Sequence, residues 1–128
     1  MPNISELLER ADEHRINGEY EEAIALYDQI LGEEPEHAKA RHGRALCYCF
    51  TGLFDESVQE LEEVRRLAPD YIKAREDLFK TYLMLGMYDE GLKEMYRILL
   101  RDPNNEEVHK HSIYFDNFDP NSFEDDGL

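Results

Sequence analysis

Apolar residues recur along this chain in stripes at helical spacing, and each stripe is cut by a glycine. Leu7, Leu8 and Ala11 open the first stripe, Gly18 interrupts it, and Tyr20, Ala23, Ile24, Tyr27, Ile30 and Leu31 resume it. The second has Ala40, Ala45, Leu46, Tyr48 and Cys49 before Gly52, then Phe54, Val58, Leu61 and Val64. The third has Ile72, Leu78, Phe79, Tyr82 and Leu85 before Gly86, then Tyr88, Leu92, Met95, Tyr96, Ile98 and Leu99. The pattern predicts three pairs of helices. Glycine can take the left-handed conformation that closes a helix, and proline cannot continue one, so the glycines mark the turn within a pair and Pro35, Pro69 and Pro103 the turn between pairs. Asp70 and Asn104, directly after their prolines, are suited to cap the helices that follow.

The three prolines stand 34 residues apart, and the same shift carries Gly18 onto Gly52 and Gly86, and Tyr20 onto Phe54 and Tyr88. One helix pair of this size cannot bury its apolar face alone, so the copies must stack on one another. The copies run over residues 4–37, 38–71 and 72–105. Beyond them Glu106, Val108, His109, Ser112, Ile113, Tyr114 and Phe115 read as a capping helix over 106–116, which gives the array a polar outer face. Residues 117–128 form an acidic tail with spaced aromatics. Three readings of it stay open: disorder, docking of Tyr114, Phe115, Phe118 and Phe123 on the third pair, or an autoinhibitory strip across the inner face.

Length and charge narrow the function. A chain of 128 residues makes one domain, and 30 acidic against 14 basic residues leave a formal net charge of −16. Like charge repels a nucleic-acid backbone or an anionic membrane, so neither is expected as a partner. No apolar run reaches the length of a bilayer span and no apolar leader follows Met1; with two cysteines that cannot pair, the expected compartment is the cytoplasm. Cys47 and Cys49 are i and i+2 in a helix and point apart. Charge is also unevenly shared. The first copy carries eleven acids against Arg10 and Arg15, whereas the third has six of each sign, so a partner's basic end is expected to meet the first copy.

Catalytic or metal chemistry is not legible. His109 and His111 diverge on a helix, no His-Glu-x-x-His pattern accompanies the five histidines, and each turn glycine stands alone rather than in a phosphate loop. Neither an enzymatic activity nor a cofactor is expected.

Period, paired helices, the Gly-x-aromatic-x-x-small run and the closing proline together resemble the tetratricopeptide repeat family. The matching runs are Gly18-Glu19-Tyr20 with Ala23, Gly52-Leu53-Phe54 with Ser57, and Gly86-Met87-Tyr88 with Gly91. The family's late first-helix aromatic is met by Tyr48 and Tyr82 but not by His14, and its small residue by Ala11 and Ala45 but not by Phe79. The resemblance implies an all-α fold, a right-handed α-solenoid of three repeats, with the first helix of each pair lining a concave groove that binds a protein or peptide.

Carried across residue by residue, the groove pattern falls on Glu9 and Asp12 with Ser5, Leu8, Arg15 and Ile16; on Lys39, His42, Leu46, Cys49 and Phe50 with Gly43; and on Lys73, Asp77, Lys80, Leu83 and Met84 with Glu76. Leu46, Phe50, Leu83 and Met84 are the apolar contacts this implies, with Lys39 and Lys73 as carboxylate partners; Leu46 and Phe50 beside Cys49 disfavour a reactive thiolate. Some members of the family grip the terminal carboxylate of a chaperone tail. Here only Lys73 agrees with that pattern, since Leu8, Asp12, Gly43 and Asp77 replace Lys, Asn, Asn and Arg. The expected role is therefore an adaptor or small chaperone for an internal segment or folded surface. Two alternatives stand beside it: a secretion-type chaperone for effector segments, and a scaffold that self-associates through Phe79, Tyr82 and the C-terminal end.

Overall fold

Successive helix pairs start at the same point of the 34-residue period. In a computed structural model that describes residues 3–111, 113 and 126–128, α1 (Ile4–Ile16), α3 (Ala38–Phe50) and α5 (Ile72–Met84) are the first helices, and α2 (Tyr20–Glu33), α4 (Phe54–Leu67) and α6 (Tyr88–Arg101) the second. A short α7 (Glu106–His109) follows, and no strand occurs among the described residues. The chain divides into two compact units, Met1–Leu67 with α1 to α4 and Ala68–Leu128 with α5 to α7.

The turn inside each pair is made the same way three times. Gly18, Gly52 and Gly86 have φ of 81°, 84° and 76°, where a Cβ would strain the backbone. Each donates to the carbonyl three residues back, while the next residue reaches five back: Glu19 to His14, Leu53 to Tyr48 and Met87 to Tyr82, each at 2.8 Å. Those two bonds form a Schellman closure, which satisfies carbonyls that the ending helix leaves open.

Helix starts depart from expectation at two places. Asn3 caps α1 by accepting from the Glu6 N–H at 2.8 Å, and His37 Nδ1 caps α3 by accepting from Ala40. The α5 cap position falls to Tyr71, whose side chain makes no cap bond, so Asp70 lies one residue too early and accepts from Arg101 Nε at 3.3 Å instead. Likewise Asn105, not Asn104, caps α7, its Oδ1 accepting from the Val108 N–H at 2.9 Å.

The first unit buries Leu7, Ala11, Ala23, Tyr27, Ile30, Leu31, Ala40 and Cys47 in one cluster. Small residues let the helices approach, and Ser57 at such a position donates to the Ala45 carbonyl at 2.9 Å. The second unit packs Phe79, Leu83, Met95, Ile98 and Val108. Val108 belongs to α7, so that helix closes the α5–α6 core.

Among the described residues the closing helix covers only the start of its sequence pattern, and Ser112 and residues 114–116 lie outside them. It ends at His109, and His111 turns inward: its N–H bonds the Val108 carbonyl in a tight turn, and its ring meets the Phe79 ring edge-on at 5.3 Å. Phe79 and Tyr82, expected to face outward for end-to-end association, are buried within the unit. The tail aromatics Tyr114, Phe115, Phe118 and Phe123 lie outside the described residues.

Candidate peptide-binding surface

Tyr27 organises the candidate surface of the first unit from below. It projects from α2, fully buried, and its hydroxyl donates to Asp12 Oδ1 on α1 while accepting from Arg15 Nε at 3.0 Å. Burial, reinforced by the bond to Asp12, pushes the phenol well above its ordinary pKa, so it remains a donor. Asp12 and Arg15 are thereby fixed on the first-helix face rather than left to swing. Cys47 lies in the same cluster, where burial raises its thiol to about 11. Neither Cys47 nor Cys49 is in a disulfide.

The expected residues of α3 separate by depth. Lys39 and Phe50 are exposed, Leu46 and Cys49 half-buried, and His42 buried. Gly43 is also buried, and it serves packing: a Cβ there would lie 2.3 Å from Tyr27 Cζ. Phe50 stacks on Tyr20 of α2, the ring centroids 5.5 Å apart and the planes within 8° of parallel. On α1, Glu9 is exposed.

The second unit sorts in the same way. Lys73 and Met84 are exposed, Asp77 and Lys80 half-buried. Leu83, expected to face a ligand, is instead in the core and packs toward Gly91 of α6, where an added Cβ would come within 2.9 Å of it. The lysines have acidic neighbours of their own: Lys73 is 4.0 Å from Glu76, and Lys80 lies 3.6 Å from Asp77 and 3.5 Å from Glu107. Such exposed pairs are worth little energetically but offset the positive charge that a carboxylate ligand would need.

One position unites the three repeats. Ile16, Phe50 and Met84 end the three first helices at 34-residue intervals, and their exposures are 74%, 66% and 55%.

Charged clusters that the sequence reading did not single out join α3 to α4 and α5 to α6. Glu60 of α4 accepts from Arg41 Nη1 at 3.0 Å and from Arg44 Nη2 at 2.7 Å, while Arg44 also donates to Asp28 and Arg41 to the Pro35 carbonyl. In the second unit Arg75 donates to Glu94 Oε2 at 2.7 Å and to the Pro69 carbonyl at 2.8 Å. Arg41 and Arg75, Glu60 and Glu94, and Pro35 and Pro69 each share the repeat spacing, so the signal was present in the sequence. The first repeat has Leu7 and Leu26 at the two side-chain positions.

Paired helices with Schellman closures at a constant period define a helical-repeat protein. The chain belongs to the tetratricopeptide repeat family, whose model matches residues 14–72 and 52–110. No curated protein matches the sequence. Among solved structures, the first TPR of Spaghetti (RPAP3) bound to the HSP90 peptide SRMEEVD is 25% identical, with a TM-score of 0.76 over 82% of this chain and 83% of that one. The second TPR domain of human RPAP3, in complex with the HSP70 peptide SGPTIEEVD, is 22% identical with a TM-score of 0.73 over 80% and 85%. The Arabidopsis OM64 TPR domain is 14% identical with a TM-score of 0.78 over 86% and 91%. The last two share the fold, all-α helical repeats of the solenoid class. No helix among the described residues is long and apolar enough to cross a membrane.

Proposed function

We propose that this chain is a non-enzymatic protein-interaction module, an adaptor or small chaperone of the cytoplasm, that holds a peptide or protein segment against its first-helix faces. The observation that carries this reading is the recurrence of Ile16, Phe50 and Met84, large apolar side chains held in water at one position of every repeat. A lone exposed apolar residue needs no explanation, but an exposed apolar side chain at the same position of every repeat fits contact with a ligand. Peptide binding by the similar RPAP3 domain supports the same class of role.

The ligand chemistry differs from that of an acidic chaperone tail. Asp12 is engaged by Tyr27 and Arg15, Gly43 has the Tyr27 ring against it, and Asp77 adds negative charge beside Lys80. With a net −9 in the first copy, these favour a segment carrying apolar and basic side chains. The test is affinity capture by the full chain compared with an Ile16→Glu, Phe50→Glu variant, together with a fluorescence titration of SRMEEVD. Partners lost from the variant support the reading, and identical partners for both overturn it. Micromolar binding of SRMEEVD would overturn the ligand chemistry.

A further inference from the structure

The end of the described chain lies against the second unit's charged cluster, on Arg75 of α5 and Arg97 of α6. The Asp126 carboxylate accepts from Arg97 through both Nε, at 3.1 Å, and Nη2. Two residues on, a main-chain oxygen of Leu128 accepts from Arg75 Nη2 at 2.6 Å. Between them Gly127 has a φ of 76°, and the Leu128 N–H folds back to Asp126 Oδ1 at 3.2 Å. Glu94 holds both guanidinium groups in place, Oε2 on Arg75 Nε and Oε1 on Arg97 Nη1 at 3.0 Å. Arg75 and Glu94 have no solvent exposure and Arg97 has 9%.

Charge explains why a segment is drawn there. Two arginines face one helical carboxylate, so the helix pair by itself sets one negative charge against two positive ones. The related cluster of the first unit has no such deficit, since Arg41 and Arg44 meet Glu60 and Asp28, all from helices. Asp126 brings a second carboxylate to the cluster, on Arg97. The fork of Arg97 reads a carboxylate in two-point fashion, Arg75 meets a main-chain oxygen two residues later, and the turn between has a positive φ that suits glycine. Leu128 itself is 38% exposed, so the third residue is not specified by burial.

We propose that Arg75, Glu94 and Arg97 form a second peptide site, distinct from the first-helix faces, whose ligand is an acidic Asp-Gly-x turn, filled in cis by Asp126–Leu128 and able to take the same turn from a separate peptide. The site is independent of the partner chemistry proposed above. A tethered segment acts at an effective concentration of order millimolar, so the cis latch competes strongly with an added peptide.

The Nε–H resonances of Arg75 and Arg97, followed by NMR in the full chain, test this directly. Asp126→Asn is expected to shift the Arg97 signal and speed its exchange with water. Adding the heptapeptide Ser-Phe-Glu-Asp-Asp-Gly-Leu to that variant should restore the wild-type signal, whereas the peptide with Asn in place of the second Asp should not. The wild-type chain should bind the labelled heptapeptide at least about tenfold more weakly than the variant. An Arg97 resonance indifferent to Asp126→Asn would overturn the latch. A shifted resonance that millimolar heptapeptide fails to restore would overturn the site as a receptor.

Discussion

Tyr27 of α2 occupies the space that a side chain at position 43 of α3 would need: its ring carbon Cζ would be 2.3 Å from a Cβ built on Gly43. The ring cannot withdraw cheaply, because its hydroxyl is tied to both Asp12 and Arg15. One contact therefore sets the approach of α2 and α3 and the orientation of two surface residues on α1.

Gly43→Ala should destabilise the chain by about 1–3 kcal/mol, the usual cost of overpacking. Gly32, in α2 and also helical, has open space where its Cβ would stand. Gly32→Ala should instead stabilise by about 0.5–1 kcal/mol through helix propensity. Urea unfolding of the two variants measures both, and equal effects would show that the Tyr27 contact does not govern the packing.

The buried pair Arg75–Glu94 predicts strong coupling. Glu94→Ala leaves two guanidinium groups without their shared carboxylate and should cost about 3–5 kcal/mol, as breaking a buried ion pair generally does. Glu60→Ala should cost less, since water reaches the first unit's pair, where the side chains retain 14% to 18% exposure. Arg75→Leu with Glu94→Leu copies the first repeat's Leu7 and Leu26 and should lose less than the sum of the single changes. A thermodynamic cycle built on urea unfolding gives the interaction term.

Helix order, repeat period and turn chemistry were readable from single residues, because glycine and proline act locally. Gly18, Gly52 and Gly86 adopt the left-handed turns that their positions imply. Less was readable where a residue's role depends on what faces it. Leu83 and Phe50 are both apolar residues late in a first helix, yet Leu83 enters the core against Gly91 while Phe50 stays exposed beside Tyr20. Gly43 looked like an empty groove position because its partner lies sixteen residues back, on another helix. The Arg75–Glu94–Arg97 cluster was missed because charged residues in a helical pattern are read as solvated, and only the shared repeat spacing of Arg41 and Glu60 could have signalled burial.

The row of Ile16, Phe50 and Met84 should be separable from stability. Ile16→Lys and Met84→Lys should change the unfolding free energy by no more than about 0.5 kcal/mol, the usual range for exposed positions. Phe50→Ala should lose about 0.5–1.5 kcal/mol, because it also removes the stack on Tyr20. Thermal melts and partner capture on the same samples check this: retained folding with lost capture is the expected pairing.

Acid should release the contact made by Asp126. The Arg97 guanidinium, with help from the Leu128 N–H, holds this carboxyl down at about 2, against an ordinary value of 3.8. A carboxyl whose folded pKa is depressed contributes stability above its unfolded pKa and loses it as pH falls toward the folded one. The contribution should therefore be constant from neutral pH down to about pH 5, decline from about pH 4, and vanish near pH 2. Glu107, whose carboxyl the hydrogen bond from Lys110 also holds down, is common to the wild type and to Asp126→Asn. The informative quantity is thus the difference in unfolding free energy between the two chains, measured at each pH. It should narrow only below about pH 4. A difference that is already absent at neutral pH, or that persists unchanged to pH 2, would mean that the ion pair with Arg97 does not hold the segment.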